Sequence, residues 1–177
     1  PMPINKMTLL ADFWRCNFKL PNGNPVDSEK FTYKLGWMDR LIVHAKELLK
    51  YEEPLILAGD YNVIPTPEDC FDPAVWAGDA LFRPETRAKF RELVNLGFTD
   101  AFRACHTEPH RYTFWDYQAG CWPKDKGIRI DHLLLSLQQR AGLALHLLHV
   151  GVQQFLRHPA RRGGRAGLLP GRAVGLG

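Results

Sequence analysis

The sequence contains 177 residues, of which 45% are hydrophobic and 24% are charged. This length supports one domain with a full core, and this composition excludes a disordered chain. No apolar run approaches the roughly 20 residues of a membrane-spanning helix, so we expect a protein without a membrane segment. The net charge of +4 arises in residues 132–177, which hold six arginines and no acidic residue, whereas residues 1–131 are slightly acidic.

The four cysteines, Cys16, Cys70, Cys105 and Cys121, are widely spaced and form no Cys-x-x-Cys pair. The N-terminus lacks a charged segment followed by a long apolar core, which is the pattern of a secretory signal. Scattered cysteines without a signal are typical of a reduced protein, and we therefore expect a cytoplasmic location.

The first predicted elements are a helix and a strand. Apolar residues in 35–50 recur at the i, i+3, i+4 spacing of one helical face, which predicts an amphipathic helix that Pro54 terminates. Residues 55–58 (LILA) form a short apolar run closed by Gly59 and Asp60, which is typical of a strand buried on both faces. A helix followed by such a strand indicates an α/β layer.

Three further elements are predicted downstream. Residues 61–81 form a long loop with three prolines, and loops of that length are usually functional or irregular surface structure. A second helix is predicted from Pro84 to a stop at Gly97. In residues 128–135, successive side chains fall into two alternating sets, as on the two faces of a strand, which predicts one more strand.

Asp60 and Asn62 follow directly on the first predicted strand. They are two residues apart, so their side chains point the same way in extended backbone. Ligands of α/β proteins gather beyond the carboxyl ends of strands, which makes the pair a candidate site. The pattern Gly-Asp-x-Asn is also typical of an ordinary turn, and both interpretations remain open.

Asp131 lies within the last predicted strand, where aspartate is disfavoured, so a partner must satisfy its carboxylate. One alternative is an ion pair with Arg129 on the same face, and the other is a polar site shared with Asp60 and Asn62. Carboxylates gathered without nearby lysines are natural Mg²⁺ ligands, or activators of water in phosphate-ester chemistry.

The aromatic segment, residues 112–117 (YTFWDY), has four aromatic side chains. Alternate burial in the core is one explanation. The other is a surface that stacks on bases or wedges into an opened duplex.

These segments, in this order, resemble exonuclease III, the Mg²⁺-dependent abasic-site endonuclease and 3′ exonuclease of the endonuclease/exonuclease/phosphatase superfamily. The matching stretches are residues 20–25 (LPNGNP), 57–63 (LAGDYNV), 82–87 (FRPETR), 112–117 (YTFWDY) and 127–132 (GIRIDH). Several ordered motifs across about 115 residues form a specific signal, which the Gly-Asp-x-Asn pattern alone does not.

The resemblance implies a DNase I-like fold, an α/β sandwich of four layers in which two mixed sheets lie face to face with helices outside. It implies hydrolysis of DNA phosphodiesters in base-excision repair, with Mg²⁺ or Mn²⁺ as cofactor. The implied partner is double-stranded DNA with abasic sites or 3′ ends, and the complete protein is expected to be a monomer.

The resemblance also implies roles for individual residues. In that family, the aspartate matching Asp60 acts on the attacking water. The asparagines matching Asn62 and Asn22 contact the phosphate, and the aspartate matching Asp131 orients a catalytic histidine.

Phe114 and Trp115 correspond to aromatic residues that line the family's pocket for the base-less sugar, which would make selection of a missing base steric. The resemblance assigns no metal ligand, because the family's asparagine and glutamate ligands belong to a segment upstream of this sequence. The family's final Ser-Asp-His motif does not occur after Asp131, and Lys19 stands where the family has tyrosine.

We therefore expect residues 1–136 to be a partial domain without the N-terminal half of the fold and with impaired activity. Residues 137–177 are expected to be a basic tail, rich in Gly, Ala, Leu and Arg, that is either read in a shifted frame or disordered. Two alternatives remain open. One is a phosphatase or RNA-directed hydrolase of the same superfamily, and the other is a non-catalytic fragment whose tail arginines bind nucleic-acid phosphates.

Overall fold

The computed structural model describes residues 8–10, 13–116 and 120–136. The basic tail, residues 137–177, and the last aromatic residue of the aromatic segment, Tyr117, lie outside the described residues, and their predictions stay predictions. In the described part of the chain, no helix is long and apolar enough to cross a membrane.

The described chain alternates between short strands and helices. The strands are β1 (Thr8–Leu10), β2 (Phe13–Lys19), β3 (Leu55–Asp60), β4 (Phe98–Asp100), β5 (Phe114–Trp115), β6 (Gly127–Ile128) and β7 (Asp131–Ser136). The helices are α1 (Glu29–Leu49), α2 (Pro73–Trp76), α3 (Pro84–Val94) and α4 (Ala101–Cys105), and a 3₁₀ turn covers Pro67–Asp69. The α/β class is confirmed.

A five-stranded mixed sheet has the strand order β1-β2-β3-β7-β4. β2 and β3 are parallel and are joined by α1, whereas the other neighbours are antiparallel. β5 and β6 form a separate two-stranded sheet. Because β7 runs against β3, the carboxyl ends of β2 and β3 meet the start of β7 at one edge of the large sheet.

α1 begins at Glu29, well before the predicted start at residue 35, and ends at Leu49. Ser28 caps it, because its side chain accepts a hydrogen bond from the backbone N–H of Lys30 at 3.3 Å. The predicted start was wrong because exposed polar residues interrupt the apolar spacing in the first turns.

The main core lies between the sheet and the helices α1 and α3. Its buried side chains include Trp37, Met38, Leu41, Ile42, Ala45, Leu55, Leu57, Tyr61, Phe90, Leu93 and Leu134. α3 begins at Pro84, as predicted. Phe102 of α4 packs with Leu135 on the opposite face of the sheet. β3 is therefore covered on both faces, although Ile56 is only half-buried.

The prediction of one strand over residues 128–135 is wrong, because the chain forms β6 in the small sheet and β7 in the large one. Between them, Arg129 donates its backbone N–H to the carbonyl of Asp69 at 2.8 Å, and the carbonyl of Ile130 accepts from the N–H of Tyr61 at 2.9 Å. These bonds to the loop after β3 take the place of strand pairing.

Candidate active site

A cleft of about 900 Å³ lies at the edge of the sheet where β2 and β3 end. Four of the residues singled out in the sequence line it, namely Asn22, Asp60, Asn62 and Phe114. Trp115 and Asp131 are not among the lining residues. The structure therefore brings together most of the predicted site residues, which come from separate parts of the chain.

Asp60 and Asp131 face each other across β3 and β7. They are direct partners in the antiparallel register, so their side chains share one face of the sheet with Cβ atoms about 5 Å apart. His132 pairs with Gly59 and therefore faces the other side, as alternation predicts. Two carboxylates thus lie together at the edge that carries the cleft.

The Asp60 carboxylate accepts a hydrogen bond from the backbone N–H of Asn62 at 2.9 Å and lies 3.6 Å from the ammonium of Lys19. The expectation of carboxylates without a nearby lysine is therefore wrong. Lys19 is the partner of Asp60 in the parallel register, and its side chain is 79% exposed. Such a solvated lysine reorients at little cost, so a phosphate can compete for it.

Asn62 has left-handed backbone with a φ of 47°, so the extended conformation predicted for it is wrong. The bond from its N–H to Asp60 forms a turn of the Asx type directly after β3. Its side-chain amide donates to the carbonyl of Leu20 at 2.6 Å, and the residue is almost fully buried. The turn interpretation is thus confirmed, and the same turn directs Asn62 into the cleft.

Asn22 lies in the exposed loop between β2 and α1. Gly23 follows it with a φ of 89°, a conformation that glycine adopts without strain. Asn24 then donates its side-chain amide to Asp79 at 2.9 Å and accepts from the N–H of Ala80 at 3.0 Å. These bonds tie the loop to the segment after α2 and hold Asn22 at the cleft.

Lys34 is a residue of this region that the sequence analysis missed. It is fully buried on the inner face of α1, and its ammonium donates to the carbonyls of Asn62 at 2.6 Å, Asn22 at 3.0 Å and Ala80 at 3.3 Å. Burial lowers its pKa to about 7, although nearby carboxylates oppose the shift. The sequence feature that could have revealed Lys34 is its position on the apolar face of the helix, three residues before Trp37.

Phe114 and Trp115 have different surroundings. Phe114 is 42% exposed and lines the cleft. Trp115 donates its indole N–H to Asp125 at 3.0 Å and packs edge-on against Trp122. Tyr112 is buried. Burial in the core therefore accounts for Tyr112, whereas Phe114 is exposed at the cleft and its contact with DNA stays a prediction.

The guanidinium of Arg129 is buried and forms ion pairs with Asp69 and Asp100, each at 2.7 Å. It also lies 2.9 Å from Nδ1 of His132, on the face of β7 opposite to Asp131. The prediction that Arg129 and Asp131 share one face is therefore wrong, because the chain leaves the strand conformation between them.

His132 belongs to this buried network. Its Nε2 lies 2.9 Å from the carbonyl oxygen of Val63, so Nε2 carries the proton and Nδ1 accepts from Arg129. Burial, together with the charge of Arg129, lowers the pKa of His132 to about 4. The imidazole is therefore neutral and supports the core.

Trp76 and Asp79 also line the cleft and were not predicted. Asp79 accepts from the N–H of Leu81 at 2.8 Å and from Asn24, so it organises the loop. Trp76, from α2, contributes an apolar surface on the same cleft as Phe114. Both residues fall in the long loop after β3, whose fold the sequence pattern does not specify.

The resemblance implies a divalent cation, and whether one fits depends on the side-chain oxygens and nitrogens that could ligate it. No group of three or more His, Cys, Asp or Glu side chains within residues 8–10, 13–116 and 120–136 is arranged to hold a metal. Mg²⁺, however, commonly uses one or two carboxylates and completes its shell with water and substrate phosphate. Asp60 and Asp131 fit that smaller requirement.

Comparison with known proteins identifies the class. Residues 4–152 match the model of the endonuclease/exonuclease/phosphatase family, and the chain therefore belongs to this family. It is 38% identical over 96 residues to the DNA repair nuclease APEX1 of Danio rerio, covering 54% of this chain and 31% of that protein. It is 31% identical over 109 residues to an exodeoxyribonuclease of Bacillus subtilis, covering 61% of this chain and 43% of that protein.

The fold agrees with these relatives. An AP endonuclease from Archaeoglobus fulgidus superposes with a TM-score of 0.69 at 31% identity, covering 72% of this chain and 50% of that structure. The expected DNase I-like α/β fold and the resemblance to AP endonucleases are thereby confirmed. The chain spans half or less of the length of these proteins.

Proposed function

We propose that the chain carries the hydrolytic centre of a metal-dependent DNA phosphodiesterase of the exonuclease III and AP endonuclease type. The observation that carries this proposal is the pairing of Asp60 with Asp131 beside a cleft lined by Asn22 and Asn62. Carboxylates next to neutral amide donors suit a phosphodiester. The amides bind phosphate oxygens, while a carboxylate accepts the proton of the attacking water.

Asp60 is the proton acceptor in this mechanism. The Asn62 N–H fixes one of its oxygens at 2.9 Å, so the carboxylate has a defined orientation at the end of β3. Its side chain is 22% exposed, which leaves it within reach of water in the cleft. The second oxygen, close to Lys19, takes the proton of the attacking water as its oxygen bonds to phosphorus. The bond from phosphorus to the leaving sugar oxygen breaks in the same displacement, and that oxygen takes a proton from solvent water.

Asn62 and Asn22 are the phosphate-binding residues. A side-chain amide has two N–H donors, and Asn62 uses one of them to hold the carbonyl of Leu20. We assign the other donor to a non-bridging phosphate oxygen. Asn22 is exposed at the same cleft and supplies a donor from the opposite loop.

Asp60 and Asp131 would hold a divalent cation, Mg²⁺ or Mn²⁺, together with oxygens of the substrate phosphate. Such an ion, when bound, neutralises the charge of the phosphate.

The proposed substrate is double-stranded DNA with an abasic site or a 3′ end. Phe114 and Trp76 give the cleft an apolar side, together with Ile128 and Ile130. A sugar that lacks its base packs against such a surface, and selection for the missing base is then steric. The names of the relatives, a DNA repair nuclease and an AP endonuclease, support this choice of substrate.

The test is incision of a labelled duplex with one abasic-site analogue, with Mg²⁺ or with chelator. We expect incision to require the metal and to fall by at least about 100-fold in Asp60→Asn, because the proton acceptor is lost. Asp39→Asn is the matched control, since Asp39 pairs with Lys89 on the outside of α1 and should change the rate less than about threefold.

Two results would contradict the proposal. One is incision that continues in chelator or in Asp60→Asn, and the other is no incision by a folded protein that binds the duplex. A duplex with a 3′-phosphate end, assayed in parallel, distinguishes a phosphatase of the same family, which would release inorganic phosphate and leave the abasic strand intact.

A further inference from the structure

A single buried ammonium joins the three segments that line the cleft. Lys34 donates to the carbonyls of Asn22, Asn62 and Ala80. These carbonyls belong to the loop after β2, the turn after β3 and the segment after α2. α1 supplies the lysine, so a helix of the core holds three loops at once.

Each of these segments carries a polar residue of the cleft. Two of the carbonyls belong to Asn22 and Asn62 themselves. The third belongs to Ala80, the residue directly after Asp79, which lines the cleft. Moving the ammonium would therefore move the main chain of both residues assigned to the phosphate. The shortest of the three bonds, 2.6 Å, goes to Asn62.

The stem of Lys34 is packed as closely as its ammonium. A Cβ atom placed on Gly23 would lie 2.6 Å from Cδ of Lys34, so the loop rests directly on the lysine side chain. Thr86 donates its hydroxyl to the same Ala80 carbonyl at 2.8 Å and fixes the third segment from α3. The Lys34 side chain is therefore held by a loop contact along its stem as well as by the hydrogen bonds of its ammonium.

The three carbonyl acceptors take all three N–H donors of the charged ammonium, so they favour the charged form against the burial that lowers the pKa of Lys34 to about 7. All three of its named acceptors are backbone carbonyls, and the attraction of Asp79 and Asp60 acts over a longer distance. Burying an ammonium is strongly unfavourable unless its hydrogen bonds are well formed. A charge kept beneath the floor of a cleft attracts anions there, because the low local dielectric strengthens its field.

We propose that Lys34 is a positioning residue of this site. It sets the main chain of Asn22 and Asn62 so that both amides face one phosphate, and it adds positive charge beneath that phosphate. This inference rests on the proposed function, and its tests are chosen so that each can fail separately.

The first test replaces the ammonium by an apolar side chain of similar length, Lys34→Met. At saturating DNA we expect single-turnover incision to fall by about 100-fold, because misplaced binding groups cost rate even when the chemical groups remain. The matched control is Lys46→Met, which removes the same charge from an exposed position of α1 and should stay within about threefold of the original rate. Lys34→Arg restores a charge and donors and should recover part of the loss.

The second test needs no catalysis. In Lys34→Met, backbone amide NMR signals of residues 22–24, 62–64 and 79–81 should shift, while those of β7 stay in place. Titration with inorganic phosphate should shift the signals of the Asn22 and Asn62 side-chain amides in the original protein. The variant should need at least about 10-fold more phosphate for the same shift. Absence of incision by the original protein would then count against the proposed function alone.

The third test uses the unaltered protein, so that it holds even if Lys34→Met fails to fold. The ammonium signal of Lys34 should shift on addition of inorganic phosphate, and that of Lys46 should not. The proposal is overturned if the Lys34 signal is unchanged by phosphate that shifts the asparagine amides. It is also overturned if folded Lys34→Met matches Lys46→Met in rate and in the signals of the three segments.

Discussion

Asp69 is a fully buried carboxylate that two arginines hold in place. Arg129 and Arg103 both pair with it, and Arg129 also reaches Asp100. Burial alone would raise the pKa of the Asp69 carboxyl, but the hydrogen bonds and charges of the arginines lower it to about 2. The network anchors the chain two residues before Asp131 and so supports the start of the strand that carries the second carboxylate.

Removing this charge should be costly. We expect Asp69→Asn to lower the free energy of unfolding at neutral pH by about 3 kcal/mol, because a buried guanidinium loses one of its two carboxylates. Urea denaturation followed by tryptophan fluorescence measures the change. Glu47→Gln, which breaks an exposed pair with Lys50, should cost less than about 1 kcal/mol. Equal costs in the two variants would contradict the role given to the network.

The same carboxylate predicts a dependence of stability on pH. Its pKa is lowered from 3.8 to about 2 in the folded protein, so its contribution is complete above about pH 4 and is lost as the pH falls towards 2. Urea denaturation at pH 6, 4, 3 and 2 should show a steeper loss for the original protein than for Asp69→Asn. Parallel curves would show that Asp69 does not titrate as described.

Local sequence was sufficient to single out some residues of the candidate site and insufficient for others. Asp60 could be singled out because it follows directly on a buried apolar run, and Asp131 because a carboxylate within a strand needs a partner. The pairing of Asp69 with Arg129 joins residues 60 positions apart, and the bonds of Lys34 join α1 to three loops. Such contacts depend on the tertiary fold, and no local pattern encodes them.

Among the secondary-structure elements, the contact between β2 and β3 depends on a glycine. Gly59 is the register partner of Phe18, and a Cβ on Gly59 would overlap the carbonyl of Phe18. Gly59→Ala should therefore push the strands apart, lower the free energy of unfolding by about 1–3 kcal/mol and displace Asp60. Thermal denaturation and the incision rate measure both effects.

The control for this change is Gly78→Ala, because a Cβ on Gly78 has no heavy atom within 4 Å. It should alter the free energy of unfolding by less than about 0.5 kcal/mol. If Gly59→Ala were equally mild, the close approach of the two strands would not be essential for the site.

The elements themselves were predicted unevenly, for physical reasons. β3 and α3 were predicted because apolar spacing and an initial proline mark them clearly. The first turns of α1 depend on the cap at Ser28, which the spacing of apolar residues does not predict. The break between β6 and β7 depends on hydrogen bonds of Arg129 and Ile130 to a distant loop.

For the molecule as a whole, the order of the motifs predicted more than any single motif. The parallel pair β2 and β3, with β7 beside them, brings Asn22, Asp60 and Asp131 from distant stretches to one edge of the sheet. Family membership and fold were therefore predictable. The small sheet of β5 and β6 was not, because strands of two residues carry no periodic signal.

The catalytic and the purely binding interpretations of the chain differ in a measurable way. If the cleft hydrolyses DNA, removal of residues 137–177 should leave metal-dependent incision at low salt in place. For each DNA phosphate that the tail arginines neutralise, the shortened chain should show a salt dependence of binding that is smaller by about 0.9 in logarithmic slope. Loss of all DNA binding with the tail would instead favour the non-catalytic interpretation.

The most direct test of the central claim is a double-mutant cycle on the two paired carboxylates. Single-turnover incision of the abasic duplex would be measured for Asp60→Asn, Asp131→Asn and the double variant. If the carboxylates form one site, each single change lowers the rate by about 100-fold or more, and the double variant is no slower than the slower single variant. Losses that multiply in the double variant, or a single variant with the original rate, would contradict the claim that Asp60 and Asp131 act together.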